Sequence, residues 1–144
     1  MTVVRKSEKI DAPADKIMKI MLDVTDHPTW MKEITQIEVL ESDGAGRPLQ
    51  TKVHVSAMGQ AATYEVRYQY NSPRSFEYHL VAGDIMTSND FIFEVEPVAD
   101  AISQVSLAQE LTVKWPLPGF IVDQLTLKGV KDMLKQLAAK ANSA

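Results

Sequence analysis

The sequence predicts an α+β fold: a strongly curved antiparallel sheet of about seven strands, covered by one long C-terminal helix, with two short helices after the first strand. Three observations carry this reading. Apolar residues recur at helical spacing near the start and again over a long final stretch. Between those stretches the pattern switches to alternation with a period of two. The alternating runs are separated by short segments rich in Gly, Asn, Ser, Asp and Pro, which connect antiparallel neighbours.

Each element follows from its residues. Val3, Val4 and Ile10 bracket a short charged first strand. Asp11 is the expected N-cap of the first helix, Pro13–Val24, with Pro13 in its first turn and Ile17, Ile20, Met21 and Val24 on one face. A second short helix is expected after Asp26-His27-Pro28, capped by Asp26 and carrying Trp30, Met31 and Ile34. Ile37–Glu41 reads as a strand closed by the Ser42–Gly46 loop, and Lys52–Met58 as the next, turned by Gly59-Gln60. Tyr64, Val66, Tyr68 and Tyr70 then alternate with Thr63, Glu65, Arg67 and Gln69. Asn71–Arg74 turns the chain into a row of Phe76, Tyr78 and Leu80, which Gly83-Asp84 ends. Phe91, Phe93 and Val95 form another row, stopped by Pro97 and Asp100. The last strand spans about Ile102–Lys114. Trp115–Gly119 breaks the sheet, and the final helix, about Pro118–Ala141, is roughly 36 Å long. A twisted sheet with one apolar face needs a cover, and a straight helix on a curved sheet tends to leave a cavity open at one end.

Composition narrows the function. The 144 residues suit one domain over 1–144, and 45% hydrophobic with 24% charged residues is ordinary for a globular protein. A net charge of −4 argues against nucleic acid as partner. The absence of cysteine excludes disulfides, thiolate chemistry and cysteine-ligated zinc. His27, His54 and His79 follow no metal-ligand spacing, so no metal and no cofactor is expected. MTVVRKSEK has no apolar run behind its basic residues, and no stretch approaches a bilayer span; a cytoplasmic monomer is the expectation.

The segment Ile10-Asp11-Ala12-Pro13-Ala14-Asp15-Lys16-Ile17 resembles the opening of the START-like (SRPBCC) superfamily. Leu22-Asp23-Val24-Thr25-Asp26-His27-Pro28-Thr29-Trp30 resembles its helix pair, and Ile37–Glu41 the strand that follows. With the element order, the resemblance covers nearly the whole chain and is strongest to the polyketide cyclase/dehydrase and lipid-transport branch. It implies a helix-grip fold, a deep apolar cavity and a small hydrophobic ligand. The superfamily's oxygenase branch, with its iron site and Rieske cluster, does not suit a chain with no Cys and three scattered His.

The inward rows supply the candidate ligand residues: Tyr64, Tyr68, Tyr70, Phe76, Tyr78, Phe91, Phe93, Leu107 and Leu111, with Trp30, Leu125 and Met133 from the helices. Any of them can equally be packed core. The tyrosines tilt the set toward a pocket, because a buried hydroxyl without a partner costs about 1–3 kcal/mol. Gln109, Asn89 and Thr87 fall in apolar rows, either as a polar spot that orients a ligand or as the mark of a β-bulge or a structural hydrogen bond. Glu8 shares the row of Val4 and Ile10; an inward carboxyl there is an acid–base candidate, an exposed edge position the plainer reading. His54 and His79 are expected to face outward. Trp115–Pro118 and the Gly44–Gly46 loop are candidates to frame the cavity mouth. Lys128, Lys131 and Lys135 read as a solvated stripe, with weak contact to an anionic membrane surface or another partner as the lesser alternative.

Three functions compete at this level. One is a carrier or binder of a lipid, aromatic polyketide-like or quinone-like molecule. Another is a polyketide cyclase/dehydrase with Tyr64, Gln109 or Glu8 as weak catalytic candidates. The last is an interaction protein of the ribosome- or quinone-complex-associated kind.

Overall fold

The computed structural model describes residues 3–57, 59–114 and 116–142. The elements follow in the order β1 (Val4–Ile10), α1 (Ala14–Leu22), a 3-10 segment (Val24–Thr29), β2 (Ile34–Ser42), β3 (Pro48–Ala57), β4 (Gln60–Ser72), β5 (Ser75–Gly83), β6 (Met86–Ala99), β7 (Ile102–Val113) and α2 (Gly119–Asn142). All seven strands form one curved antiparallel sheet in the order β1-β7-β6-β5-β4-β3-β2, so β1 and β2 are its edges. This is the curved sheet and covering helix that the hydrophobic pattern predicts, and the helix-grip fold that the resemblance implies.

Several boundaries differ from the sequence expectation. The N-cap of α1 is Pro13 with no side-chain bond, rather than Asp11, because Ala12 N donates to Ile10 O and turns the chain first. The second helix is a 3-10 segment that begins at Val24 and contains Pro28; Trp30–Ile34 lies beyond it. Asp26 therefore sits inside the segment rather than capping it, and accepts from Thr29 Oγ1 through its backbone oxygen (2.7 Å) and Oδ1 (3.1 Å). A proline lacks the donor that a longer helix needs, and short 3-10 runs tolerate that loss. β2 and β3 begin earlier than Ile37 and Lys52 because β2 is a largely exposed edge strand with register shifts, which blurs its alternation.

Turn chemistry fixes the hairpins. In the β2–β3 loop Asp43 Oδ1 accepts from Ala45 N (2.9 Å) and Arg47 N (2.8 Å), and Oδ2 from Arg47 Nε (2.7 Å). Gly46 and Gly59 take φ of 84° and 76°, a region that an L side chain resists.

The core divides the inner face of the sheet in two. Phe93, Val95, Val105 and Leu107 are buried on β6 and β7. α2 packs on β1, β7 and α1, and α1 on β6. Thr126, Val130, Leu134, Leu137 and Ala141 form its buried stripe. The strands toward β2 carry no such helix. Their inner face is closed by the end of α1, the 3-10 segment and the residues after it.

Candidate functional site

That half of the sheet holds a cavity of about 40 Å³. Its sheet wall is Ile34, Ile37, Val53, Tyr64, Val66, Tyr68, Phe76, Tyr78 and Phe91; Met21, His27, Met31 and Met133 close it from the helical side. The lid is tied to α2 by Lys140 Nζ to Asp26 Oδ2 at 3.5 Å and by Lys32 N donating to Gln136 Oε1 at 3.3 Å. The volume admits water but not a ring system. Three of the four closing side chains are methionines, whose unbranched chains change rotamer readily.

The wall is aromatic and rigid. Tyr78 and Phe91 rings stack at 4.8 Å, Tyr68 packs on Phe76 and Tyr78 at 5.5 Å each, and Phe76 stacks on Phe93 at 5.3 Å. Burial pushes the phenols of Tyr64, Tyr68 and Tyr78 well above the usual tyrosine range, so they stay protonated and act as hydrogen-bond donors. Tyr68 lies against Thr51 and Tyr78 against Asn89. Tyr64 makes no hydrogen bond with any described residue. Among the described residues the sealed polar atoms without partners are Trp30 Nε1 and Thr51 Oγ1, so the Tyr64 oxygen keeps contact with open space.

His27 is the lining residue that sequence reasoning undervalued. It is buried, 3.3 Å from Ile20 O through Nε2, and its ring meets Trp30 edge-on at 5.3 Å. The Ile20 and Met21 carbonyls belong to the last turn of α1, where no partner is available within the helix, so the imidazole completes that helix end. Burial lowers its pKa despite those bonds and despite Asp23 and Asp26 nearby. Local sequence gives no signal for this, because the inward turn comes from the 3-10 geometry.

The structure brings Tyr64, Tyr68, Phe76, Tyr78, Phe91 and Met133 together at the cavity. The other candidates lie elsewhere. Phe93 and Leu107 are in the solid core, Leu111 is half-buried on β7, and Trp30 packs behind His27. Tyr70 is held away: its hydroxyl donates to Pro48 O and Arg47 lies 4.1 Å over its ring. Leu125 is 39% exposed, outside the α2 stripe that faces the sheet. Gln109 Nε2 donates to Asn89 Oδ1 at 2.9 Å, and Asn89 Nδ2 points at Met86 Sδ at 3.6 Å. That pair is a structural bond behind Tyr78. Thr87 is exposed, contrary to its expected inward place, because a register shift between Met86 and Ser88 turns it out, where Oγ1 pairs with Thr112 Oγ1. Glu8 is exposed on edge strand β1, so it lines nothing. His54 and His79 face outward as expected, bonded to Glu38 and Thr63, and to Glu77 and Asp90.

The mouth assignment is also corrected. The Gly44–Gly46 loop joins β2 to β3 beside the far end of β4, whereas the β7–α2 connection meets the β5–β6 turn, where Lys114 N donates to Ile85 O. The two loops sit at opposite ends of the sheet and cannot frame one opening. Trp115 lies outside the described residues; Lys128, Lys131 and Lys135 are exposed on α2. No group of His, Cys, Asp or Glu among the described residues is arranged to hold a metal ion, and no helix among them is long and apolar enough to cross a membrane.

Sheet, gripped helix and inner cavity define a START-like protein. Comparison with known proteins extends this: the chain belongs to the family described as polyketide cyclase / dehydrase and lipid transport, whose model matches residues 1–142. Among solved structures, a START superfamily protein from Mycobacterium smegmatis superposes with a TM-score of 0.92 at 25% identity, covering 96% of each chain. The Zhui aromatase/cyclase from a Streptomyces species gives 0.83 at 15% identity, covering 97% of this chain and 93% of its own. A protein from Thermus thermophilus gives 0.83 at 21% identity over 99% and 100%. A search of curated protein sequences finds no match.

Proposed function

We propose that the chain binds a small hydrophobic molecule between the aromatic wall and the methionine-rich lid, as a cytoplasmic, monomeric carrier or binding protein. One observation supports this most: the sheet face bearing Tyr64, Tyr68 and Tyr78 encloses open space where a plain core would be filled. A guest enters by displacing Met21, Met31 and Met133. Burying about 300 Å² of apolar ligand yields roughly 7–8 kcal/mol before association and ordering costs. The expected affinity is micromolar or weaker, which suits a protein that must also release its cargo.

The test uses the neutral fluorescent probe N-phenyl-1-naphthylamine. Saturable enhancement at one site, with NMR shifts at Tyr64, Met31 and Met133, is expected. A linear, non-saturating response would sink the reading.

The cyclase/dehydrase alternative draws on the family description and on His27 sharing a cavity with three phenols. A neutral imidazole accepts a proton and protonated phenols donate one, which aldol closure and water loss require. Turnover of a poly-β-ketone that falls in Tyr64→Phe while probe binding persists would favour it over the carrier.

A further inference from the structure

Among the described residues, the lining of the cavity contains no Asp, Glu, Lys or Arg. Its titratable members are His27 and three tyrosines, and burial holds all four neutral at pH 7. An ionic group brought into such a site sheds its water and meets no opposite charge. The hydrogen-bonding capacity is also uneven. Tyr68 has Thr51 beside it and Tyr78 has Asn89, whose carbonyl oxygen accepts from Gln109 and keeps a second lone pair. Tyr64 has neither. Its cross-strand neighbours are Val53 on β3 and Gly83 on β5, and neither side chain offers a polar atom. The residue is only 8% exposed, and its oxygen still touches open space.

We propose that the cavity is selective for uncharged ligands that carry a hydrogen-bond acceptor, such as a ketone or quinone oxygen, and that the Tyr64 hydroxyl is the donor that fixes it. This rests on the ligand-binding reading above. It separates the cargo from fatty acids and other carboxylates, which the same apolar surface would otherwise accept. A site built around one unused donor discriminates against a ligand of the same shape that lacks the acceptor.

Three probes of nearly equal shape test it on the full chain: 2-acetonaphthone, 2-isopropenylnaphthalene and 2-naphthoate, titrated at pH 7.5 and followed by NMR. The ketone is expected to bind about tenfold more tightly than the hydrocarbon, and the carboxylate about a hundredfold more weakly than the ketone. Tyr64→Phe should erase the ketone's advantage and leave the hydrocarbon unchanged, with melting confirming the fold. Tyr68→Phe, the control, should keep most of the advantage. Equal binding of naphthoate and ketone overturns the charge selection, and an unaltered ketone-to-hydrocarbon ratio in Tyr64→Phe overturns the role of Tyr64. In both cases saturable hydrocarbon binding leaves the ligand-binding reading intact. Failure of all three probes overturns that reading and this one with it.

Discussion

His79 stands on the outer face of β5 with Nδ1 2.6 Å from Asp90 Oδ1 and Nε2 2.9 Å from Glu77 Oε1. Those carboxylates, Glu77 first, raise its pKa above 6.5, so the folded chain holds that proton more tightly than the unfolded one. The resulting stabilisation is complete below pH 6.5 and disappears as pH rises through the folded-state pKa. His27 has the opposite sign: its pKa is lowered, so its contribution is intact above 6.5 and is lost as pH falls through the folded value. Imidazole NMR titrations should place the His79 midpoint above 6.5 and the His27 midpoint below it; coincident midpoints would refute both environments. Thr51 is fully buried beside Tyr68. Thr51 has the inward parity of Val53 and was readable in principle, but a strand assigned from Lys52 leaves it out. The tyrosine rows were legible because alternation on a central strand survives burial on one face. The satisfaction of Asn89 by Gln109 was not, because it depends on a diagonal contact between strands.

Turns carry the structure at the level of elements. Gly83 ends β5, and a Cβ there would lie 2.9 Å from Met86 O, a backbone atom that cannot move aside. Gly83→Ala should cost about 1–3 kcal/mol, and the loss should reach the cavity because Gly83 pairs with Tyr64. Gly59 meets no neighbour, yet its φ of 76° makes Gly59→Ala cost about 1 kcal/mol through backbone strain alone. Comparing the two variants by urea unfolding and by probe affinity separates the effects: both lose stability, and only Gly83→Ala weakens binding. Equal affinities would argue against a link between this turn and the site. The hairpin order was plain from Asn71–Arg74 and Gly83-Asp84, since turn residues act locally. Edge strand β2 and the 3-10 segment were misjudged at their boundaries, because a bulged, exposed strand and a proline-bearing turn lack a clean period.

For the whole molecule, the cavity follows from where α2 lies. The helix is packed against β1, β7 and α1, which leaves the face of β3–β5 to a thin lid. Val53→Ile adds one methylene to that space, and about 40 Å³ accommodates it. The variant should gain up to about 1 kcal/mol of stability and bind N-phenyl-1-naphthylamine more weakly; a gain in both would mean the probe sits elsewhere. The topology bears on synthesis as well. β1 pairs with β7, and Ser103 Oγ donates to Ala12 O across 91 residues of chain. At about 5–20 residues per second on the ribosome, the amino end waits on the order of ten seconds before its neighbour emerges. Over that interval the nascent segment must remain dispersed, and the charges of Arg5, Lys6, Glu8 and Lys9 on its first strand discourage pairing with the wrong edge.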